Sequence, residues 1–193
     1  MALVLGVLEG TSDIETDMLA GRIIVLLQQL VLIGSCPGEY LYKKIPCPWL
    51  QVKLLRALSL MELPESSADK ARLIDVLSRI LSRCPEMQKC VNRNNSNHSI
   101  LFEAIDLIVK HGDDLDKSFK IKASSLLGRY IQIRDANMRY LGLTMMAKLA
   151  ASGGAGEYVV FERGVREFTQ ITRISLVSFT HTARKSTLEC YEN

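Results

Sequence analysis

Aromatic side chains are scarce in this sequence, at 6%, and Trp49 is the one tryptophan in 193 residues. Histidine is scarcer still. His98, His111 and His181 have no partner at motif spacing, so nothing marks a nucleophile beside a base or a cluster of ligands, and all three are expected to be solvated loop residues. The five cysteines, Cys36, Cys47, Cys84, Cys90 and Cys190, are odd in number and never spaced as CxxC. That excludes a disulfide framework or a four-ligand zinc site as the organising feature and leaves reduced thiols in a cytosolic protein.

Long hydrophobic runs are also missing. The longest, Ile23 to Ile33, is broken by Gln28 and Gln29 and falls short of the roughly 20 residues that span a bilayer. Met1 to Leu8 lacks a basic leader and is soon followed by Glu9, Asp13, Glu15 and Asp17, which argues against a secretory signal. Without that route the Asn97-His98-Ser99 tripeptide has no use as a glycosylation site. A net charge of +3 is too small for the dense basic footprint of a nucleic-acid binder. Gly153-Gly154-Ala155-Gly156 has no lysine at phosphate-loop spacing and reads as a flexible joint.

What is present is a train of short amphipathic segments. Trp49 to Leu60 carries Leu50, Leu54, Leu55 and Leu58 on one side and stops before Pro64. Ala68 to Cys84 places Leu73, Ile74, Leu77, Ile80 and Leu81 on one stripe, and Pro85 ends it. The polar stretch Asn92 to Asn97 reads as a loop before a third helix, Ser99 to Lys110, which Gly112 and two aspartates close. Leu115 to Ile131 follows, with Ala123, Leu126, Leu127, Tyr130 and Ile131 inward and Lys120, Lys122 and Arg129 outward. A fifth helix starts near Asn137 as N-cap, and Asp17 to Ile33 is a sixth candidate. No period-two strand interrupts these segments before the tail.

Six such helices predict an all-α chain. Pairs recur at roughly 40 to 45 residues, the period of HEAT and armadillo units, so a helical solenoid is favoured over a closed bundle. Lys43, Lys44, Lys53 and Arg56 surround Trp49 and could meet acidic headgroups or an acidic peptide. The plainer expectation puts Trp49 in the core with solvated basic neighbours.

The run Tyr40-Leu-Tyr-Lys-Lys-Ile-Pro-Cys-Pro-Trp-Leu-Gln-Val-Lys-Leu-Leu-Arg56 resembles the adaptin trunk step in which Pro-x-Pro-Trp-Leu leads into a Val-Lys-Leu-Leu-Arg helix. Ser99-Ile-Leu-Phe-Glu-Ala-Ile105, Leu126-Leu-Gly-Arg-Tyr130 and Asn137-Met-Arg-Tyr-Leu141 are similar to further adaptin elements in the same order. The Pro-Cys-Pro-Trp-Leu form is nearer to the alpha chain than to the gamma or beta chains. In that setting Trp49 and Phe102 are expected as core anchors, with Asp135 and Arg139 capping and bracing neighbouring helices.

The resemblance covers residues 40–151. It implies a divergent N-terminal segment over 1–39 with one helix, an adaptin-like repeat region over 40–151, and an irregular tail over 152–193. Adaptin large chains are several times longer, so this chain corresponds to a fragment. The implied function is a non-enzymatic scaffold subunit of a clathrin-associated adaptor complex, acting in vesicle-mediated transport and endocytosis. Implied partners are the other large, medium and small subunits, with clathrin and phosphoinositide membrane engaged through the complete complex on the cytosolic face. The competing reading is an unrelated HEAT or armadillo scaffold. No catalytic, cofactor-binding or metal-ligating residue and no cofactor is assigned.

Overall fold

A computed structural model describes residues 5–7, 17–83 and 90–152. Within them the chain is all-α apart from one small hairpin. The helices are α1 (Asp17–Gln28), extended by a π-helical turn over Gln29–Ile33, α2 (Pro48–Leu60), α3 (Ser67–Ser82), α4 (Val91–Leu115), α5 (Lys117–Gln132) and α6 (Ala136–Ser152). Strands β1 (Leu41–Tyr42) and β2 (Ile45–Pro46) pair antiparallel before α2. Two units are distinguished, Met1–Leu126 and Leu127–Asn193. The expected irregular tail, with His181 and Cys190, lies outside the described residues.

In the first unit two helices each pack on the next but one. α1 lies against α3 and α2 against α4, while α1 also touches α2 and α3 touches α4. Two sets of contacts give the direction. Arg56 pairs with Glu103 and the Lys110 ammonium donates to the Ser59 carbonyl at 3.1 Å, so α2 and α4 ascend together. Gly21 likewise faces Asp69 while Arg83 reaches the Val31 carbonyl, so α1 and α3 are also parallel. A four-helix bundle would put these parallel pairs on its diagonals; direct packing between them is the arrangement of stacked helical hairpins.

The sequence explains the elements. α2 starts at Pro48, whose fixed φ suits the first helical position, and continues through Leu, Gln, Lys and Arg, all good helix formers. Leu54, Leu55, Ala57 and Leu58 are fully buried. α3 buries Leu73, Leu77, Ile80 and Leu81 as anticipated, with Val76 buried beside them and Ile74 only half-buried. Phe102 is buried, as expected of a core anchor.

Several expectations fail between residues 92 and 137. Asn92 to Asn97 is helix, not loop: Asn94 and His98 are buried one turn apart and continue the stripe of Leu101 and Ile105. The Ser96 and Ser99 hydroxyls bond back to the Asn92 and Asn95 carbonyls, so the serines stay within the helix. His98 is therefore a buried helical residue, and His111 is half-buried in the same helix. Burial pushes the His111 imidazole below its ordinary pKa, outweighing the opposing pull of Asp114.

Gly112 does not close α4. It is buried, and a Cβ there would lie 2.9 Å from Lys120 Cε, so glycine permits the close approach of Lys120, which is buried instead of facing outward as expected. The helix ends at Leu115, and Asp116 alone links it to α5. The Asp116 carboxylate accepts from the Ser118 N–H and hydroxyl at 2.8 Å each, bonds that hold its pKa below the usual carboxylate value.

In the second unit the cap of α6 is Asp135 rather than Asn137. Its Oδ1 accepts the N–H groups of Asn137 at 2.8 Å and Met138 at 3.2 Å. Arg139 is exposed, and no bracing contact from its side chain is seen among the described residues. Gly142 is buried against Tyr130 and Ile131, and a Cβ there would sit 3.2 Å from Tyr130 Cβ.

Leu54→Ala should lower the unfolding free energy by about 2 to 5 kcal/mol, the usual cost of truncating a fully buried leucine. Urea denaturation of the whole chain measures it, and an unchanged midpoint would place Leu54 outside the core.

Candidate functional site

The hairpin preceding α2 concentrates the unusual features of the surface. Leu41 pairs with Pro46 and Tyr42 with Ile45, leaving Lys43 and Lys44 as a two-residue loop. Both have positive φ, 50° and 67°, as a type I′ turn demands. Such turns normally use Asn-Gly, because a Cβ is crowded in the left-handed region, and two lysines there hold strain. Cys47, at φ 39°, adds a third left-handed residue immediately before the helix.

Side-chain and backbone bonds hold this strained segment. The buried Gln51 donates from Nε2 to the Pro46 carbonyl at 2.5 Å, and the Cys47 N–H bonds the Tyr40 carbonyl at 3.0 Å. Ile45, Pro46 and Pro48 are buried beneath. With its base fixed, the hairpin presents Tyr40, Leu41 and the two lysines to solvent.

Trp49 does not anchor the core. It is 62% exposed in the first turn of α2 and meets the Tyr42 ring in a tilted pair with centroids 4.8 Å apart. Helix phase explains the difference: the inward face of α2 is set by Leu54, Leu55 and Leu58, and Trp49 falls outside it. Tyr40 is 61% and Leu41 48% exposed beside it in sequence, so apolar side chains and lysines share this edge.

The four basic residues near Trp49 are not equivalent. Lys53 is exposed one turn beyond Trp49, and Lys43 and Lys44 form the hairpin tip. Arg56 is committed to Glu103, with Nε 3.3 Å from Oε2 and a second bond from Nη2 to Oε1. Sequence spacing also conceals a thiol pair. Burial raises the Cys47 pKa, and the neighbouring Cys36, which hydrogen-bonds it, adds to the rise. Both cysteines are free, as is Cys90.

Among the described residues there is no cluster of His, Cys, Asp or Glu suited to a metal ion, and no helix is long and apolar enough to cross a membrane. Stacked helical hairpins bearing an exposed aromatic and basic edge define a helical-repeat protein. The chain belongs to the adaptin family: the adaptin N terminal region matches residues 9–166.

AP-2 complex subunit alpha-1 of Arabidopsis thaliana is 38% identical over 128 residues, 66% of this chain and 12% of the relative. AP-2 complex subunit alpha-2 of Dictyostelium discoideum is 37% identical over 131 residues, 67% of this chain and 13% of the relative. AP-4 complex subunit epsilon-1 of Homo sapiens is 32% identical over 126 residues, 65% of this chain and 10% of the relative. The chain thus corresponds to a small part of each. Family membership removes the unrelated HEAT or armadillo scaffold from consideration.

Two substitutions separate the surface from the core. Trp49→Ala should cost about 0.5 to 1.5 kcal/mol, the worth of the ring pair, and not the larger loss of a buried aromatic. Replacing Lys43-Lys44 by Asn-Gly should stabilise the chain by about 1 to 3 kcal/mol by relieving the left-handed lysines. Chemical denaturation tests both, and a loss of stability in the Asn-Gly variant would show that the turn is not strained.

Proposed function

We propose that this chain is a non-catalytic scaffold segment of an adaptor-complex large subunit, acting in clathrin-linked vesicle transport and endocytosis. The observation that carries the reading is the exposed Trp49, paired with the half-buried Tyr42, and the exposed Tyr40 and Leu41 of the same hairpin, on a helical stack of the adaptin family. Rigid aromatic rings supply contact area with little entropy to lose, so they suit a docking edge. The partners are the other large, medium and small adaptor subunits. Clathrin and phosphoinositide membrane are reached through the assembled complex, on the cytosolic face of a coated pit or vesicle.

The adaptin-like body spans residues 40–151 in this reading, preceded by a divergent segment over 1–39. Nothing in the proposed role requires bond chemistry. The work is to hold partner subunits in fixed relative positions.

Co-expression of the tagged chain with recombinant medium, small and second large adaptor subunits tests the role. At least one of these subunits should co-purify in stoichiometric amount, and Trp49→Ala should reduce that capture several-fold while circular dichroism stays helical. Elution of the chain free of every adaptor subunit would overturn the proposal.

A further inference from the structure

Beside the hairpin a cavity of about 400 Å³ opens between it, the end of α3 and the first turns of α4. Three cationic side chains from separate segments line it: Lys44 from the hairpin tip, Arg83 from the end of α3 and Arg93 from α4. Asn97 and Gln51 add polar groups, and no aspartate or glutamate is among the described lining residues. Surface basic residues usually alternate with acids. Here three positive charges converge on one concave site with no carboxylate among its described lining residues, which raises the local potential in favour of an anion.

The two arginines show that the arrangement is costly without a negative partner. Arg93 Nε is buried and finds no acceptor among the described residues, and leaving a buried N–H unmade costs at least what an ordinary hydrogen bond contributes. Arg83 is held in place by an Nη2 donation to the Val31 carbonyl at 2.6 Å. Its pKa is lowered, first by burial and then by repulsion from Arg79. Lys44 completes the set from a left-handed backbone position at φ 67° that asparagine or glycine would occupy with less strain.

We propose that this cavity binds a phosphate group of a small phosphorylated ligand, with Arg93 and Arg83 as hydrogen-bonding cations and Lys44 as a point charge over the mouth. Guanidinium groups match the oxygens of phosphate in a forked geometry, and a phosphomonoester carries about −1.5 to −2 charges at neutral pH, closer to three cations than one carboxylate is. The volume lies at the small end of the range for small-molecule sites, roughly 300 to 1,000 Å³, which suits a phosphorylated headgroup or a free polyphosphate and excludes a helix or folded partner. The site adjoins the exposed edge, with Leu41 and Lys44 common to both, and does not depend on the adaptor role.

The test uses the whole chain with inorganic pyrophosphate as the soluble probe and phosphatidylcholine vesicles containing phosphatidic acid as the lipid probe. Calorimetric titration should give saturable pyrophosphate binding, and the melting temperature should rise with pyrophosphate concentration. Arg93→Gln should weaken binding about tenfold or more, since it removes a charge-assisted hydrogen bond. Lys44→Asn should weaken it about threefold or more without lowering the ligand-free melting temperature, because asparagine tolerates the left-handed region; this separates lost binding from lost folding. Arg22→Gln, on α1 away from the cavity, should change neither quantity. Vesicle pelleting that pyrophosphate displaces would assign the phosphate to a lipid, and pyrophosphate binding without pelleting would assign it to a soluble ligand; each supports the cavity. Failure of both probes to bind saturably at millimolar concentration would overturn the proposal, as would binding unchanged in both Arg93→Gln and Lys44→Asn.

Discussion

Direct packing of α2 on α4, with both helices ascending together, is the constraint on which the first unit depends. Parallel helices cannot be joined by a short turn, so the chain must place an antiparallel helix between them, and α3 fills that role. The same requirement sets α1 on α3. Leu54, Leu55 and Leu58 on one helix and Leu101, Ile105 and Ile108 on the other are buried; no single hairpin could cover both faces. Stability in such stacks comes from neighbour-on-neighbour burial, which suits a scaffold whose outer edge is left for other proteins.

The hairpin before α2 follows from this constraint. Entry into α2 must bring its inward leucines to face α4, and the Pro46-Cys47-Pro48 step does so by placing Cys47 in the left-handed region and starting the helix on a proline. The turn at Lys43 and Lys44 reverses the chain in the least space. Its cost is strain in three non-glycine residues, offset by the Gln51 bond to Pro46 and by burial of Ile45. One consequence is chemical. The same turn carries Tyr40, Leu41 and Tyr42 toward the exposed edge and Lys44 to the rim of the cation-lined cavity.

Much of this fold is legible from residue order. The aliphatic stripe of α3 and the buried leucines of α2 follow the 3.6-residue period because their inward positions are apolar. The first turns of α4 break that code, since Asn94 and His98 occupy inward positions with polar side chains. Gly112 misleads because glycine serves helix ends and close contacts alike, and only the position of Lys120 distinguishes them. Strands of two residues are too short to show alternation. Trp49 has the composition of a core residue and the phase of a surface one, and phase decides. The cavity is the least legible feature: Lys44, Arg83 and Arg93 become neighbours only through the stacking of segments far apart in the chain.

A charge-swap cycle across α2 and α4 tests the parallel stacking most directly. Arg56→Glu and Glu103→Arg alone should each destabilise the chain, and together they should restore most of the loss, with a coupling of about 0.2 to 1 kcal/mol for a pair near the surface. Strictly additive effects, with the double variant no better than the sum of the singles, would mean that Arg56 and Glu103 do not meet and that α2 and α4 are not packed side by side.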